Sequence, residues 1–217
     1  MKLDADAIAE AALGLLDEVG LDGLTMRKVA AVLNVQAPAL YWHVKNKREL
    51  LDVMARALFV AAMADVEAPR RDEDWREWMC AIAARLRRAM LRYRDGARVL
   101  AGTYVNEEVV WRSIELTLRT MEDAGFTTEQ AARVFPITLH YTIGFVIEEQ
   151  TRGGEEYPDG NPYVPERIAA RVDGVRFPRA ARLSTNLSTL ADFDGEFDYG
   201  LRVIMAGIVA TRGDDVE

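Results

Sequence analysis

Apolar residues recur every three to four positions along most of the chain, which is the spacing of amphipathic helices. The first apolar stripe runs from Ile8 to Val19. Asp4 or Asp6 can cap its start, because a side-chain carboxylate accepts hydrogen bonds from the first free backbone N–H groups. Gly20 can end it. The pattern therefore predicts a first helix of about four turns.

Two short helices are predicted next. Thr25 can cap a stripe over residues 26–33. Asn34 follows, and asparagine tolerates the left-handed conformation that a tight turn needs. Pro38 then stands where the first turn of a helix accepts proline, and the apolar positions within 40–44 continue that helix. A pair of short helices joined by a turn is the signature of a helix-turn-helix motif.

Longer helices are predicted downstream. Asn46 and Glu49 have the spacing of a capping box at the start of one of them. The stripes cover about 47–61, 75–93, 107–124, 127–150 and 193–209, with shorter helical segments at 97–101 and 166–172. Residues 152–165 are rich in Gly and Pro and predict a long loop. No strand pattern stands out.

The fold class predicted from these patterns is all-α, with about nine to ten helices. An N-terminal three-helix helix-turn-helix domain is expected over residues 1–48, and a connecting helix over 47–64. The remainder, 65–217, is expected to form a helical domain for ligand binding and dimerisation. Its segment 141–147 is apolar nearly all round, which is typical of a helix that is covered on both sides.

Charge is distributed unevenly. The chain has 217 residues and a formal net charge of −8, yet residues 23–48 contain five basic residues and no acidic one. The preceding 22 residues contain one lysine and six acids. A purely basic stretch inside an acidic chain is either a solvated surface or an electrostatic footprint for DNA.

The number of cysteines and the lack of a signal peptide or membrane span limit the cellular compartments that the sequence allows. Cys80 is the single cysteine, so an intrachain disulfide is excluded and a reducing compartment is expected. Its thiol is expected to be buried and inert. The sequence has no signal-peptide core and no apolar run long enough for a membrane span, so a cytoplasmic protein is expected. No cofactor is expected.

The third short helix carries the strongest candidate chemistry. If its apolar residues pack inward, its other face presents small and aromatic side chains to a DNA major groove: Ala37, Pro38, Ala39, Tyr41, Trp42 and His43. Basic residues on either side can neutralise phosphates: Arg27, Lys28, Lys45 and Lys47. Thr25, beside them, is included among the candidate DNA contacts. A small aromatic core of the bundle is the alternative role of residues 41–43.

Residues 23–30 and 38–48, GLTMRKVA and PALYWHVKNKR, resemble the DNA-binding domain of the tetracycline repressor family. The resemblance continues in LRYRDGA at 91–97 and Gly102-Thr103, and more loosely through 144–150. It implies an operator-binding regulator with DNA contacts from Arg27, Pro38, Tyr41, His43 and Lys47. Members that bind tetracycline have Gln and Thr where this chain has Ala37 and Ala39, which implies a different operator.

The resemblance also places an effector pocket in the second domain, but with altered chemistry. Leu100 replaces a histidine that ligates the magnesium of a tetracycline chelate. Ile82 and Thr117 replace an Asn and a Gln, Leu86 replaces a Phe, and Met63 lies near a replaced His; Thr103 and Glu148 are retained. Hard cations prefer oxygen or imidazole ligands. No metal site is therefore expected, and the effector is expected to be apolar or aromatic rather than a tetracycline–magnesium chelate.

The candidate effector residues are those that this pocket would bring together: Met63, Trp78, Ile82, Leu86, Leu100, Thr103, Trp111, Thr117, Met121, Phe135 and His140. A core position is the alternative for His140. Glu148 and Glu149 are adjacent on a helix and do not face each other, so a solvated or dimer-facing role is expected rather than an acid/base pair.

The predicted partners are a palindromic double-stranded operator, a small-molecule effector and a second copy of the chain. Helices of about 128–150 and 193–209 would form a four-helix dimer interface. A DNA-binding activator and an architectural protein without effector remain alternatives. An enzyme is a remote one, because the sequence has no nucleophile elbow, phosphate loop or metal triad and only two histidines.

Overall fold

A computed structural model describes residues 3–70, 72–103, 105, 107–153, 157, 159–185 and 192–213. Within these residues the secondary structure is entirely helical. The helices are α1 (Ala5–Gly23), α2 (Met26–Val32), α3 (Ala37–Tyr41), α4 (Lys47–Met63), α5 (Trp75–Leu91), α6 (Gly96–Leu100), α7 (Glu108–Asp123), α8 (Thr128–Arg152), α9 (Pro165–Arg171), α10 (Pro178–Thr185) and α11 (Phe193–Ala210), followed by a 3₁₀ turn at Thr211–Gly213. The all-α prediction is confirmed.

Short-range hydrogen bonds explain where the helices begin. Asp4 accepts from the backbone N–H of Ala7 at 3.0 Å, and Thr25 accepts from that of Lys28 at 3.3 Å. Asn46 accepts from the N–H of Glu49 at 3.0 Å. Each side chain satisfies an N–H group that has no partner inside its helix.

Two turns adopt left-handed backbone conformations where the sequence predicts them. Gly20 has a φ of 64° and kinks α1, so that the chain makes one further turn before α2. Asn34 has a φ of 53° in the turn between α2 and α3. Glycine and asparagine tolerate this region better than other residues, which is why the chain can reverse direction there.

Helix α4 joins the two halves of the molecule. It packs against α1 on one side and against α5, α6 and α7 on the other. Leu50, Met54 and Leu58 of α4 are at most 1% exposed. Because α4 contributes to the core of the DNA-binding half and to the core of the second half, a displacement of α4 also changes the packing of the helix-turn-helix.

The second half of the molecule is built around α5 and α8, which pack against each other. Helix α7 covers α8, and α11 contacts both α5 and α8. The α8 N-terminus has the capping box that its sequence predicts, with Thr127 and Gln130 bonded reciprocally. No helix in the described part of the chain is long and apolar enough to span a membrane.

The described residues form eleven α-helices, one more than the upper end of the sequence prediction. The missed helix is α10, which contacts α9. Its sequence, PRAARLST, is short and contains one large apolar residue, and among its described side chains only Ala181 is half-buried. The predicted 152–165 loop lies partly outside the described residues.

Candidate DNA-binding surface and ligand site

Helix α3 and the three residues that follow it have a buried side and an exposed side. Leu40 and Val44 are fully buried against the first two helices. Tyr41 and Trp42 are 49% and 89% exposed, and His43 is also exposed. A fully buried tryptophan would contribute to the core, whereas this one faces solvent. The arrangement matches a reading helix rather than a core of aromatic residues.

The remaining candidate DNA contacts surround α3 on the same domain. Ala37 and Ala39 are half-buried, and the others are exposed: Thr25, Arg27, Lys28, Pro38, Lys45 and Lys47. The ammonium groups of Lys28 and Lys47 donate to the carbonyl oxygens of Gly23 and Leu21, each at 3.0 Å. These are exposed bonds to neutral acceptors, so a phosphate could replace them.

A polar network ties the end of α1 to α6 in the other half of the molecule. The Asp95 carboxylate accepts from the backbone N–H of Leu21 at 2.8 Å. Arg98 forms ion pairs with Asp95 at 2.9 Å and with Asp22 at 3.3 Å. Arg48, the second residue of α4, donates to the carbonyl oxygen of Gly102 at 2.8 Å. The DNA-binding half is therefore anchored directly to the segment that contains α6.

A small cavity lies between α4, α5 and α8. Its volume is about 10 Å³, and its lining exposes only apolar surface. It is lined by Met63, Met79, Ile82, Ala83, Leu86, Phe135, Thr138, Leu139 and Thr142. That volume holds at most one water molecule, whereas small-molecule sites usually measure about 300–1,000 Å³. The helices are packed closely together here.

The structure brings together four of the eleven candidate effector residues, Met63, Ile82, Leu86 and Phe135, around this cavity. The remaining seven lie elsewhere. Those that are buried are Trp78, Leu100, Thr117 and Met121, and Thr103 is half-buried. Trp111 is 58% exposed, and His140 is exposed as well.

Four threonine hydroxyls in this region are engaged by their own helices. Thr117 donates to the carbonyl oxygen of Ser113 at 2.9 Å, and Thr103 donates to that of Val99 at 2.6 Å. Thr142, which lines the cavity, donates to the carbonyl oxygen of Thr138 at 2.8 Å. Thr138, the other threonine of the cavity lining, donates to the carbonyl oxygen of Val134 at 2.9 Å, so the cavity offers an incoming ligand mainly apolar contacts.

Sequence reasoning missed three cavity residues of α8, which are Thr138, Leu139 and Thr142. A signal for them was present. Together with Phe135 they stand at positions i, i+3, i+4 and i+7, which lie on one face of a helix. Extending the face of Phe135 by two turns would have identified them.

The position of Leu100 provides no ligand for a metal ion. Leu100, at the position where the family's tetracycline-binding members have a metal ligand, is 6% exposed and has no donor atom. No group of three or more His, Cys, Asp or Glu in the described residues could hold a metal ion.

A buried ion pair that the sequence did not reveal connects three helices. Arg87 of α5 donates to both oxygens of Glu149 of α8, at 2.6 and 2.8 Å, and to Asp194 of α11 at 2.6 Å. The side chains of Arg87 and Glu149 are only 11% and 12% exposed. The hydrogen bonds to Glu149 raise the pKa of the guanidinium above its already high ordinary value.

Cys80 and Tyr141 are among the other groups whose pKa is shifted. Burial raises the pKa of the Cys80 thiol above its ordinary value, which keeps it in the unreactive protonated form near neutral pH. Burial also raises the pKa of Tyr141, whose hydroxyl donates to the carbonyl oxygen of Phe197 at 3.1 Å. Both shifts follow from desolvation of the charged form, and neither group belongs to a cluster that could perform catalysis.

Comparison with known proteins agrees with this geometry. Residues 8–54 match the bacterial regulatory proteins of the tetR family, and residues 68–212 match the tetracyclin repressor-like C-terminal domain. The chain is 42% identical to the class D tetracycline repressor protein of Escherichia coli over 206 residues, covering 95% of this chain and 89% of the relative.

Solved structures extend the match to the whole fold. TetR from Acinetobacter baumannii AYE is 36% identical with a TM-score of 0.76, covering 97% of this chain and 99% of that one. ActR from Streptomyces coelicolor, in complex with actinorhodin, is 29% identical with a TM-score of 0.78 and 97% coverage of both chains. This chain therefore belongs to the tetracycline repressor family, and it is a DNA-binding, ligand-responsive transcriptional regulator rather than an enzyme.

Proposed function

We propose that this protein is a repressor that binds a palindromic operator as a homodimer and is released by an apolar or aromatic small molecule. The single observation that carries the DNA-binding part is the exposed surface of α3. Tyr41, Trp42 and His43 face solvent there, and the surrounding residues 23–48 contain no acidic side chain. Aromatic and imidazole groups can contact base edges, while the lysines and arginines hold phosphates.

The proposed effector site is the apolar cavity between α4, α5 and α8. A ligand can enter only if these helices separate, because the cavity is far smaller than a small-molecule site. Met63 of α4 is part of the lining, so a ligand that opens the cavity also displaces α4. Relatives of this chain are named as tetracycline repressors, and ActR is seen with actinorhodin. The loss of metal-binding chemistry at Leu100 favours an effector without a bound cation.

The proposed dimer interface is the outer face of α8 and α11. Large apolar side chains are exposed along both helices, namely Ile137, Tyr199, Val203 and Val209, with exposed fractions of 42–61%. Gly144 and Gly207 leave open space beside them, which allows a second helix to approach closely. Two copies of this pair of helices would form a four-helix bundle and cover the apolar surface.

Release would follow from the connection between α4 and the reading helices. A dimer presents two α3 helices about 34–36 Å apart, one turn of DNA. Because α4 packs against α1, and Arg48 is bonded to the segment after α6, displacing α4 changes that spacing. The ligand acts only to the extent that it binds the displaced state more tightly than the DNA-bound state.

Fluorescence anisotropy with a duplex selected by the protein from random DNA tests the DNA contacts. His43→Ala is expected to weaken binding to the selected duplex about tenfold and to relax the sequence preference of the protein. Lys47→Gln is expected to weaken binding to selected and unrelated DNA alike. It should also reduce the slope of log affinity against log salt concentration by about one, because one phosphate contact is lost. Arg179→Gln on α10 removes an exposed cation outside this surface and serves as the control. Equal losses for all three variants would contradict a reading role for α3.

Thermal unfolding distinguishes the effector classes in the same preparation. Tetracycline with magnesium, compared with magnesium alone, is expected to leave the melting temperature unchanged. An apolar aromatic effector at about 100 times its dissociation constant should add about 2.7 kcal/mol, or several degrees, and release the duplex. A clear shift with tetracycline and magnesium would contradict the proposed effector chemistry while leaving the DNA-binding result intact.

A further inference from the structure

A second, much larger concavity lies on the other side of α4. This groove between α1, α4 and α5 has a volume of about 670 Å³, within the range of small-molecule sites. The groove and the apolar cavity described above have no lining residue in common, although α4 and α5 contribute residues to both. Its ligand chemistry can therefore be considered independently of the proposed effector.

Arg85 and Arg88 of α5 line the groove together with Arg92, which caps the end of α5 and continues the same helix face. Arg85, Arg88 and Arg92 stand at positions i, i+3 and i+7, so their side chains project in the same direction. Within the described part of the chain, none of the three forms an ion pair with a carboxylate. Arg85 donates its Nε–H to the carbonyl oxygen of Ala62 at 2.8 Å, and Arg92 stacks near Tyr93.

Among the described residues, carboxylates do not balance the positive charge of this groove. The protein has 35 acidic and 27 basic residues, so carboxylates are available in excess. The groove contains two, and Asp6 is already paired with Arg56 at 2.5 Å. Glu10 makes no ion pair among the described residues. Neighbouring like charges on a helix face are unfavourable unless an anion compensates them.

Part of the groove lining, the alanine floor, is apolar. Ala57 and Ala61 of α4 and Ala89 of α5 contribute small side chains, and Tyr93 contributes an aromatic ring. These residues offer apolar contacts in the same groove as the arginines. The combination favours an amphipathic anion over a bare inorganic ion, which would use only the charged part.

The groove is remote from the DNA-contacting end of α4. Ala57 and Ala61 follow Lys47 by ten and fourteen residues, and at 1.5 Å per residue they lie about 15–21 Å further along the helix. Operator phosphates contacted by Lys47 are therefore out of reach of the arginines around these alanines. This distance favours a small anion over the DNA backbone as the occupant.

We infer that the groove between α1, α4 and α5 is a binding site for a phosphate-bearing small molecule with an apolar or aromatic part, for which a nucleoside diphosphate is the simplest representative. Arg88 and Arg92 hold the phosphates, and the alanine floor with Tyr93 accepts the remainder. A ligand there bridges elements on both sides of α4 and stabilises their packing. The inference goes beyond the repressor function proposed above and does not depend on the apolar effector.

Isothermal titration calorimetry of the full chain with ADP, pyrophosphate and adenosine tests this site. ADP is expected to bind more tightly than pyrophosphate, and adenosine is expected not to bind. Arg88→Gln combined with Arg92→Gln removes two charged donors from exposed positions and is expected to weaken ADP binding at least about tenfold. Arg176→Gln combined with Arg179→Gln, a change of equal charge near α10, is the matched control and should leave ADP binding unchanged.

Several results would overturn the inference. The absence of ADP binding up to about 10 mM would do so, since a weaker interaction is not a site. Equal weakening in the control variant would show that ADP follows net charge alone. Equal affinity for pyrophosphate and ADP would remove the role of the alanine floor. A loss of operator affinity in the Arg88/Arg92 variant without ADP would show that the groove contacts DNA instead.

Discussion

Gly96 begins α6 where the chain turns back from α5, and its backbone lies against the carbonyl group of Met90. A methyl group at this position would overlap the Met90 carbonyl oxygen, which belongs to the backbone and cannot rotate away. The preceding residue, Asp95, adopts a left-handed φ of 59° and bonds Leu21. A single glycine thus allows the close contact between α5 and the α6 segment that anchors α1.

Gly96→Ala is expected to lower the free energy of unfolding by about 1–3 kcal/mol, because the backbone around α6 must shift to remove the overlap. Gly14→Ala is the matched control. Gly14 is exposed within α1 with open space around it, so this change should raise stability by about 0.5–1 kcal/mol. Chemical denaturation measures both. Equal effects of the two substitutions would show that the contact with Met90 carries no cost.

At the scale of whole helices, Arg87 links α5, α8 and α11. Its guanidinium is bonded to Glu149 and Asp194, and it also lies 5.0 Å from the ring centre of Phe197 on α11. Phe197 stacks on Tyr141 of α8 with ring centres 5.5 Å apart. This cluster fixes the two proposed dimerisation helices to α5, a wall of the apolar cavity.

Glu149→Gln is expected to lower the free energy of unfolding by about 2–3 kcal/mol, because it leaves a nearly buried guanidinium without its main partner. Glu148→Gln removes the neighbouring carboxylate, which is 65% exposed and 3.7 Å from Arg152, and should cost less than about 0.5 kcal/mol. Urea denaturation of both variants measures the difference. Losses of the same size would contradict the structural role of the Arg87–Glu149 pair.

At the scale of the whole molecule, the proposed function depends on assembly of two copies. Helices α8 and α11 expose several large apolar side chains, among them Val203, which is 53% exposed, and exposed apolar side chains that lie together often mark an interaction surface. Function requires two reading helices at a fixed separation. Dimerisation through this face would therefore satisfy both the burial of apolar surface and the geometry of a palindromic operator.

Val203→Arg is expected to convert the dimer into a monomer, because the symmetry of the interface would place a charge from each copy in an apolar contact. Size-exclusion chromatography with light scattering measures the mass, and operator binding should be lost together with the dimer. Val32→Arg introduces the same change at a position on α2 that is 56% exposed and should leave the mass unchanged. A dimeric Val203→Arg protein would exclude this interface.

Features that depend on near neighbours in the chain were predictable. The caps at Asp4, Thr25 and Asn46 each use a backbone N–H three residues away. The division of α3 into buried Leu40 and exposed Tyr41 follows from helical periodicity. Helix α10 was missed because it is short and contains one large apolar residue, Leu183.

The candidate site was predictable only in part. Four of the proposed effector residues meet at one cavity, but Trp111 and His140 lie on the surface. An apolar residue on a helix can face a cavity, a core or a partner chain, and its spacing is the same in all three cases. Only the packing of α4, α5 and α8 distinguishes them.

The sequence by itself determined the helical class, the positions of the main helices and the local chemistry of the DNA-binding surface, because propensity, capping and periodicity act over a few residues. The tertiary structure alone decided that Glu149 meets Arg87, 62 positions away, and that the cavity between α4, α5 and α8 is small. It also decided that three arginines on and just after α5 share a groove with α1 and α4. These features depend on contacts between distant parts of the chain, which no local pattern encodes.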